Sequence, residues 1–177
     1  MIDYNQNRTQ LIQFLQHNLH IHSSNNLVFC TLRFCKQHKT IQSARQQTRI
    51  IYSRVLSSLQ GKYWHKFPLP SVTVIERGKS NVYHAHTVFN LRDKTLTQFD
   101  MALSNTCHTY PYLYLTYDVQ YNNFPLSNSF TPVMNHLLAR QVFSADVFNY
   151  ITKEYNFAND KIDFANLFTS ELLFNYV

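Results

Sequence analysis

Apolar residues recur at helical spacing between Arg8 and His20, at Leu11, Ile12, Phe14, Leu15 and Leu19, and stop at the polar run Ser23-Ser24-Asn25-Asn26. This pattern predicts a short amphipathic helix and a turn. The next segment, Leu27-Val-Phe-Cys-Thr-Leu-Arg-Phe34, has the length and the β-favouring composition of a strand. From about Thr40 to Gln60, Ile41, Ala44, Ile50, Ile51, Val55, Leu56 and Leu59 fit a long helix, with Gly61 where a C-terminal cap belongs. That helix carries Arg45, Arg49 and Arg54, which read most simply as a solvated basic face. Pro68 and Pro70 close a loop before Ser71 to Glu76, which alternates as a strand should. Gly78 lies in a polar turn, Arg77 to Asn81, leading into Val82 to Phe89, so the two runs are expected to form an antiparallel hairpin.

A short helix is expected from Thr95 to Leu103 and a fourth strand over Tyr112 to Val119. After the polar stretch Asn122 to Ser129, Thr131-Pro132 supplies an N-cap and a proline at the first helical position, starting a helix that runs to about Gln141. Another helix begins near Ser144 and carries Tyr150. The tail, residues 156–177 with Phe164, Leu167, Leu172, Leu173 and Phe174, is expected to close the chain as a helix or packed segment. No internal repeat or linker interrupts this order, and 177 residues suit one domain with a sizeable core.

Composition narrows the function classes. A formal charge of +6 and a pI near 9.3 favour a polyanionic partner, because clustered Lys and Arg release counterions from a phosphate backbone. Cys30, Cys35 and Cys107 show neither disulfide-framework nor zinc spacing, so reduced structural thiols are expected. No charged leader with an apolar run opens the chain and no apolar stretch approaches eighteen residues, so a cytoplasmic location without membrane insertion is expected.

His84 and His86 stand two apart on the third predicted strand, so both imidazoles leave one face and can converge on a cation. Glu76, on the preceding strand and the same alternation face as Val72 and Val74, can add an oxygen ligand. Mixed nitrogen and oxygen ligation suits manganese or magnesium better than a structural zinc. With nine histidines in the chain, chance alone supplies such a pair roughly half the time. The chain holds a second pair, His20-Ile-His22, but at a helix-to-turn boundary with no acid on a strand before it.

Tyr150-Ile-Thr-Lys153 sets a phenol and an ammonium three residues apart on a helix, hence on one face, while Val147, Ile151 and Tyr155 cluster on another. A nearby cation favours the phenolate needed for in-line attack on phosphorus, and Lys153 can steady the charge that develops. A second instance, Tyr63-Trp-His-Lys66, precedes two prolines in a loop.

Taken together, Phe29-Cys-Thr-Leu-Arg-Phe34, Val74-Ile-Glu76, His84-Ala-His86-Thr-Val-Phe89 and Tyr150-Ile-Thr-Lys153 resemble, in order and spacing, the motifs of HUH endonucleases, closest to the nuclease domains of rolling-circle replication initiators. The resemblance spans about residues 27–155, and Tyr117-Asp-Val-Gln120 resembles the strand that precedes the catalytic helix in those initiators. It implies an α+β fold, a central antiparallel sheet of four to five strands with flanking helices, related to the ferredoxin-like arrangement. It further implies Mg2+ or Mn2+ held by His84, His86 and Glu76, with Tyr150 as nucleophile, Lys153 as its helper, and a 5′-phosphotyrosine intermediate. Single-stranded DNA or a locally melted origin or hairpin would be the substrate, and a host helicase and replication machinery the partners. Arg33, Arg49, Arg77 and Lys79 are the further candidates for DNA contact. The helix from Thr131 reads as an insertion relative to a minimal initiator. A single-tyrosine transposase or relaxase with the same chemistry, and a non-catalytic basic origin-binding module, are the alternative readings. A phosphodiesterase with paired HxT motifs finds only His38-Lys-Thr40.

Overall fold

The structure, a computed structural model, describes residues 10–11, 13–15, 17–19, 26–34, 38–77, 82–109 and 167–174, and residues 116–121 by their backbone. In chain order the described elements are β1 (Leu27–Arg33), α1 (Ile41–Gln60), β2 (Ser71–Arg77), β3 (Tyr83–Asn90), α2 (Leu96–Thr109), β4 (Thr116–Tyr121), β5 (Leu167–Thr169) and α3 (Ser170–Phe174). A single 3-10 turn, Trp64–Lys66, follows α1. The strands form one five-stranded sheet in the order β4-β1-β3-β2-β5, with every neighbouring pair antiparallel. The expected α+β architecture is therefore present, and the β2–β3 hairpin pairs in the register that sets Glu76 opposite His84.

Local chemistry fixes the helix ends. The Thr40 hydroxyl accepts from the Ser43 N–H at 3.2 Å, and Gly61, at φ +76°, returns its N–H to the Ser57 carbonyl at 2.9 Å. Thr95 and Gln98 bond reciprocally across the first turn of α2, a capping box. This helix runs to Thr109, beyond the expected end at Leu103. Asn105 faces outward while the buried stripe Leu96, Phe99, Ala102 and Leu103 continues through Thr106 and Cys107.

In the C-terminal region, expected as a helix or packed segment, β5 adds an edge strand to β2 before α3 begins. Arg45 departs from the expected solvated face. Its guanidinium lies 4.3 Å from the Phe168 ring centroid and donates to the Leu172 carbonyl, tying α1 to this segment.

The two faces of the sheet differ. One carries the main core, where Cys30, Leu32, Ile75, Ala85, Phe89 and Phe168 pack with Ile51, Tyr52, Val55 and Leu56 of α1 and Phe99 and Leu103 of α2. The other holds a smaller cluster of Leu27, Phe29, Val72, Val74, Val88 and Leu167 under Leu11, Leu15 and Leu19 of the N-terminal helical segment. That segment is pinned where Asn90 Nδ2 donates to the Leu19 carbonyl at 2.8 Å, a buried bond. Cys30 and Cys107 are buried in the main core. Among the described residues no helix is long and apolar enough to cross a membrane. Cys35, His20 and His22, Lys79, the helix expected from Thr131, Tyr150, Lys153 and Tyr155 lie outside the described residues.

Candidate metal centre

Strand pairing builds the site. The antiparallel register places Arg33, His84 and Glu76 in one row across β1, β3 and β2, and Thr31, His86 and Val74 in the next. Because side chains alternate along a strand, all six project from the face that carries the smaller cluster, at the end of the sheet nearest the β2–β3 turn. The apolar cluster covers the other end of that face, leaving a polar group beside it.

Glu76, His84 and His86 converge, with their ligand atoms all within 4.8 Å of one another. Glu76 Oε2 lies 3.3 Å from His84 Nε2 and 3.6 Å from His86 Nε2. At 3.3 Å the His84 Nε2 and Glu76 Oε2 pair is within hydrogen-bond reach, the tautomer of the ring setting which atom donates. The 3.6 Å approach of His86 is longer than a hydrogen bond. The imidazole planes are nearly perpendicular, 77° apart, with centroids at 4.6 Å. His86 and Glu76 are buried, 3% and 7% exposed, whereas His84 is partly open and marks the side from which solvent reaches the group.

The donor set fits a divalent cation. Ligands about 2.1 Å from an ion lie about 3.0 Å apart at a right angle and about 3.4 Å apart at a tetrahedral angle. The separations of 3.3 and 3.6 Å fall near that range. Two imidazoles and one carboxylate from one sheet face would supply three of the ligands of such an ion.

The ring of His86 is held by two residues that sequence reasoning did not single out. Thr31 Oγ1 is 2.9 Å from His86 Nδ1, and Phe29 stacks on the imidazole with centroids 5.5 Å apart and planes 11° apart. Both lie in a strand motif that the sequence does mark, but their contact with His86 depends on the β1–β3 register, which composition and alternation leave open.

The candidate DNA contacts divide between the two faces. Arg33 is exposed in the row of His84 and Glu76. Arg77 follows Glu76 and so projects from the opposite face, its guanidinium 5.9 Å from the Tyr83 ring centroid. Arg49 belongs to α1, packed on the side of the sheet away from the histidines. The geometry thus gathers Glu76, His84, His86 and Arg33 and separates Arg49 and Arg77 from them. Comparison of the chain with family models, curated proteins and solved structures gives no match.

Proposed function

We propose that the chain is a metal-dependent endonuclease of the HUH kind, which nicks single-stranded DNA and keeps the 5′ end as a phosphotyrosine at Tyr150. The observation that carries this reading is the convergence of Glu76, His84 and His86 from two central antiparallel strands onto a volume suited to one divalent ion. A divalent ion in that position, Mg2+ or Mn2+ on the donor chemistry, supplies charge neutralisation at the nonbridging oxygens of a scissile phosphodiester. Two imidazole nitrogens and one carboxylate oxygen would hold it, and exposed Arg33, in the same row, suits an adjacent backbone phosphate.

The chemical step falls to Tyr150. Its phenolic oxygen attacks phosphorus in line, a P–O bond to tyrosine forms as the P–O3′ bond breaks, and the departing 3′ oxygen takes a proton to become a free hydroxyl. Lys153, one helical turn away in the expected helix, steadies the negative charge that develops on the phosphoryl oxygens. The basic character of the chain supports a nucleic-acid substrate.

The test is a denaturation-resistant adduct. The purified protein and a Tyr150→Phe variant are incubated with Mn2+ and a pool of labelled single-stranded oligonucleotides, then separated on a denaturing gel. An EDTA-sensitive adduct in the wild type alone supports the reading and yields the cut sequence. Tight, salt-sensitive binding without any adduct would replace it with the origin-binding alternative.

A further inference from the structure

We propose that Thr31 is the positioning residue for His86, fixing which ring nitrogen meets the cation; the inference rests on the metal-centre reading of Glu76, His84 and His86. A histidine on a strand can offer either nitrogen to a ligand, and turning its ring over exchanges them. Two side chains of β1 remove that choice. Phe29 lies flat against the imidazole and sets the plane of the ring. Thr31, directly across the ladder from His86, sets its orientation within that plane through the 2.9 Å contact between Oγ1 and Nδ1. Threonine is β-branched and stiff about its first torsion, so this oxygen is well placed by the backbone alone. With Nδ1 committed to Thr31, Nε2 is the atom turned toward Glu76, at 3.6 Å.

The proton on the ring follows. Nitrogen that binds a cation must present its lone pair, so Nδ1 carries the proton and donates it to Thr31 Oγ1. A hydroxyl can also donate, so in the metal-free protein the same oxygen can donate to a bare Nδ1. Rotation of one hydroxyl hydrogen then accommodates both states without displacing a heavy atom. Such an orienting partner, when removed, typically lowers metal affinity about 10–100-fold. Thr31 touches neither cation nor substrate and acts only through His86. The strand motif Phe29-Cys-Thr-Leu-Arg-Phe34 thereby gains a chemical role, supplying the plane and the tautomer of a ligand carried by its neighbour.

The full chain and its Thr31→Val and Thr31→Ser variants are titrated with Mn2+ by electron paramagnetic resonance. The metal-free unfolding curves of all three are recorded beside them. Valine keeps the shape and burial but not the hydroxyl, so it should weaken Mn2+ binding about 10–100-fold with little change in metal-free stability, and serine should stay within about threefold of the wild type. In the Zn2+-loaded wild type, nitrogen-15 spectra of the histidine rings should show His86 bound through Nε2 and protonated at Nδ1. Thr31→Val binding Mn2+ as tightly as the wild type, or zinc bound through Nδ1, would overturn the role of Thr31 alone. If Thr31→Val does not fold, the ring spectra of the wild type still decide. A wild type with no saturable Mn2+ or Zn2+ binding would instead overturn the metal-centre reading beneath it.

Discussion

Glu76 is the residue whose replacement separates a metal centre from a buried polar cluster. Its Oε2 lies within 3.6 Å of both imidazole Nε2 atoms, so an ion bound by the two rings also meets this oxygen. Glu76→Gln keeps the shape and an acceptor but removes the negative charge. In the wild type, Mn2+ at about 100 times its dissociation constant should add RT ln(101), about 2.7 kcal/mol, to the free energy of unfolding. For a chain of this size about 2–4 °C accompanies each kcal/mol, so the expected rise in melting temperature is about 5–11 °C. If the lost charge weakens binding about 100-fold, the same Mn2+ concentration adds only RT ln 2, about 0.4 kcal/mol, and the rise shrinks to about 1–2 °C.

The metal-free comparison carries equal weight. A carboxylate held at 7% exposure carries a desolvation cost that an amide of the same shape largely avoids. Without metal, Glu76→Gln should therefore unfold within about 1 kcal/mol of the wild type. Differential scanning fluorimetry over a Mn2+ series, with EDTA as the zero point, reads both quantities. Equal metal-induced shifts in wild type and variant would refute the reasoning, since the ion would then be bound elsewhere. A large metal-free loss would make Glu76 a structural partner of the histidines.

Two further outcomes test the frame around the site. Leu15 is fully buried in the cluster with Phe29 and Val88, so Leu15→Ala should lower the free energy of unfolding by about 2–5 kcal/mol, read as a shifted urea midpoint. A loss below about 1 kcal/mol would mean that the N-terminal helical segment does not complete this face. Burial on α2 raises the Asp100 carboxyl above the ordinary aspartate range. The folded state then keeps a proton that the unfolded state has lost, and the contribution to stability falls as pH rises from about 3.8. Asp100→Asn should stabilise at pH 7 by no more than about 0.5 kcal/mol and by nothing at pH 3, a difference that thermal scans at the two pH values resolve.

Much of this frame is written locally in the chain. Thr40 and Gly61 mark the ends of α1 because capping needs only residues within one turn. The period-two pattern of Ser71 to Glu76 and of His84, His86 and Val88 identifies a shared face before any partner is known. What alternation cannot supply is register. That Thr31 stands opposite His86, and Glu76 opposite His84 rather than His86, depends on how three strands slide into place, which burial of the whole face decides. The β5 strand escaped for a different reason. Three residues, Leu167–Thr169, are too few to show a period, and they are a strand because the edge of β2 receives them. The run of α2 past Leu103 was hidden by Ser104 and Asn105, which interrupt composition without interrupting the buried stripe.

The contrast between the two sheet faces is the strongest physical argument that Glu76, His84 and His86 can hold a metal ion. On the helix-bearing side four buried threonine hydroxyls are satisfied close by: Thr73 with Thr87 at 2.9 Å, Thr48 with the Ala44 carbonyl at 2.8 Å, and Thr106 with the Ala102 carbonyl at 2.8 Å. Such pairs cost little to bury. On the other face β2 runs Val72, Val74 and then Glu76, and β3 runs back from Val88 to His86 and His84. Apolar residues at those three positions would extend the cluster that Leu11, Leu15 and Leu19 cover, and would stabilise the sheet by about 1.5–3 kcal/mol for each side chain fully buried. Instead the chain gathers a carboxyl group and two imidazoles beside an apolar wall. A divalent cation would balance such a carboxylate and use both imidazole lone pairs at once. The polar end of this face therefore has the make-up of a ligand set for a metal ion.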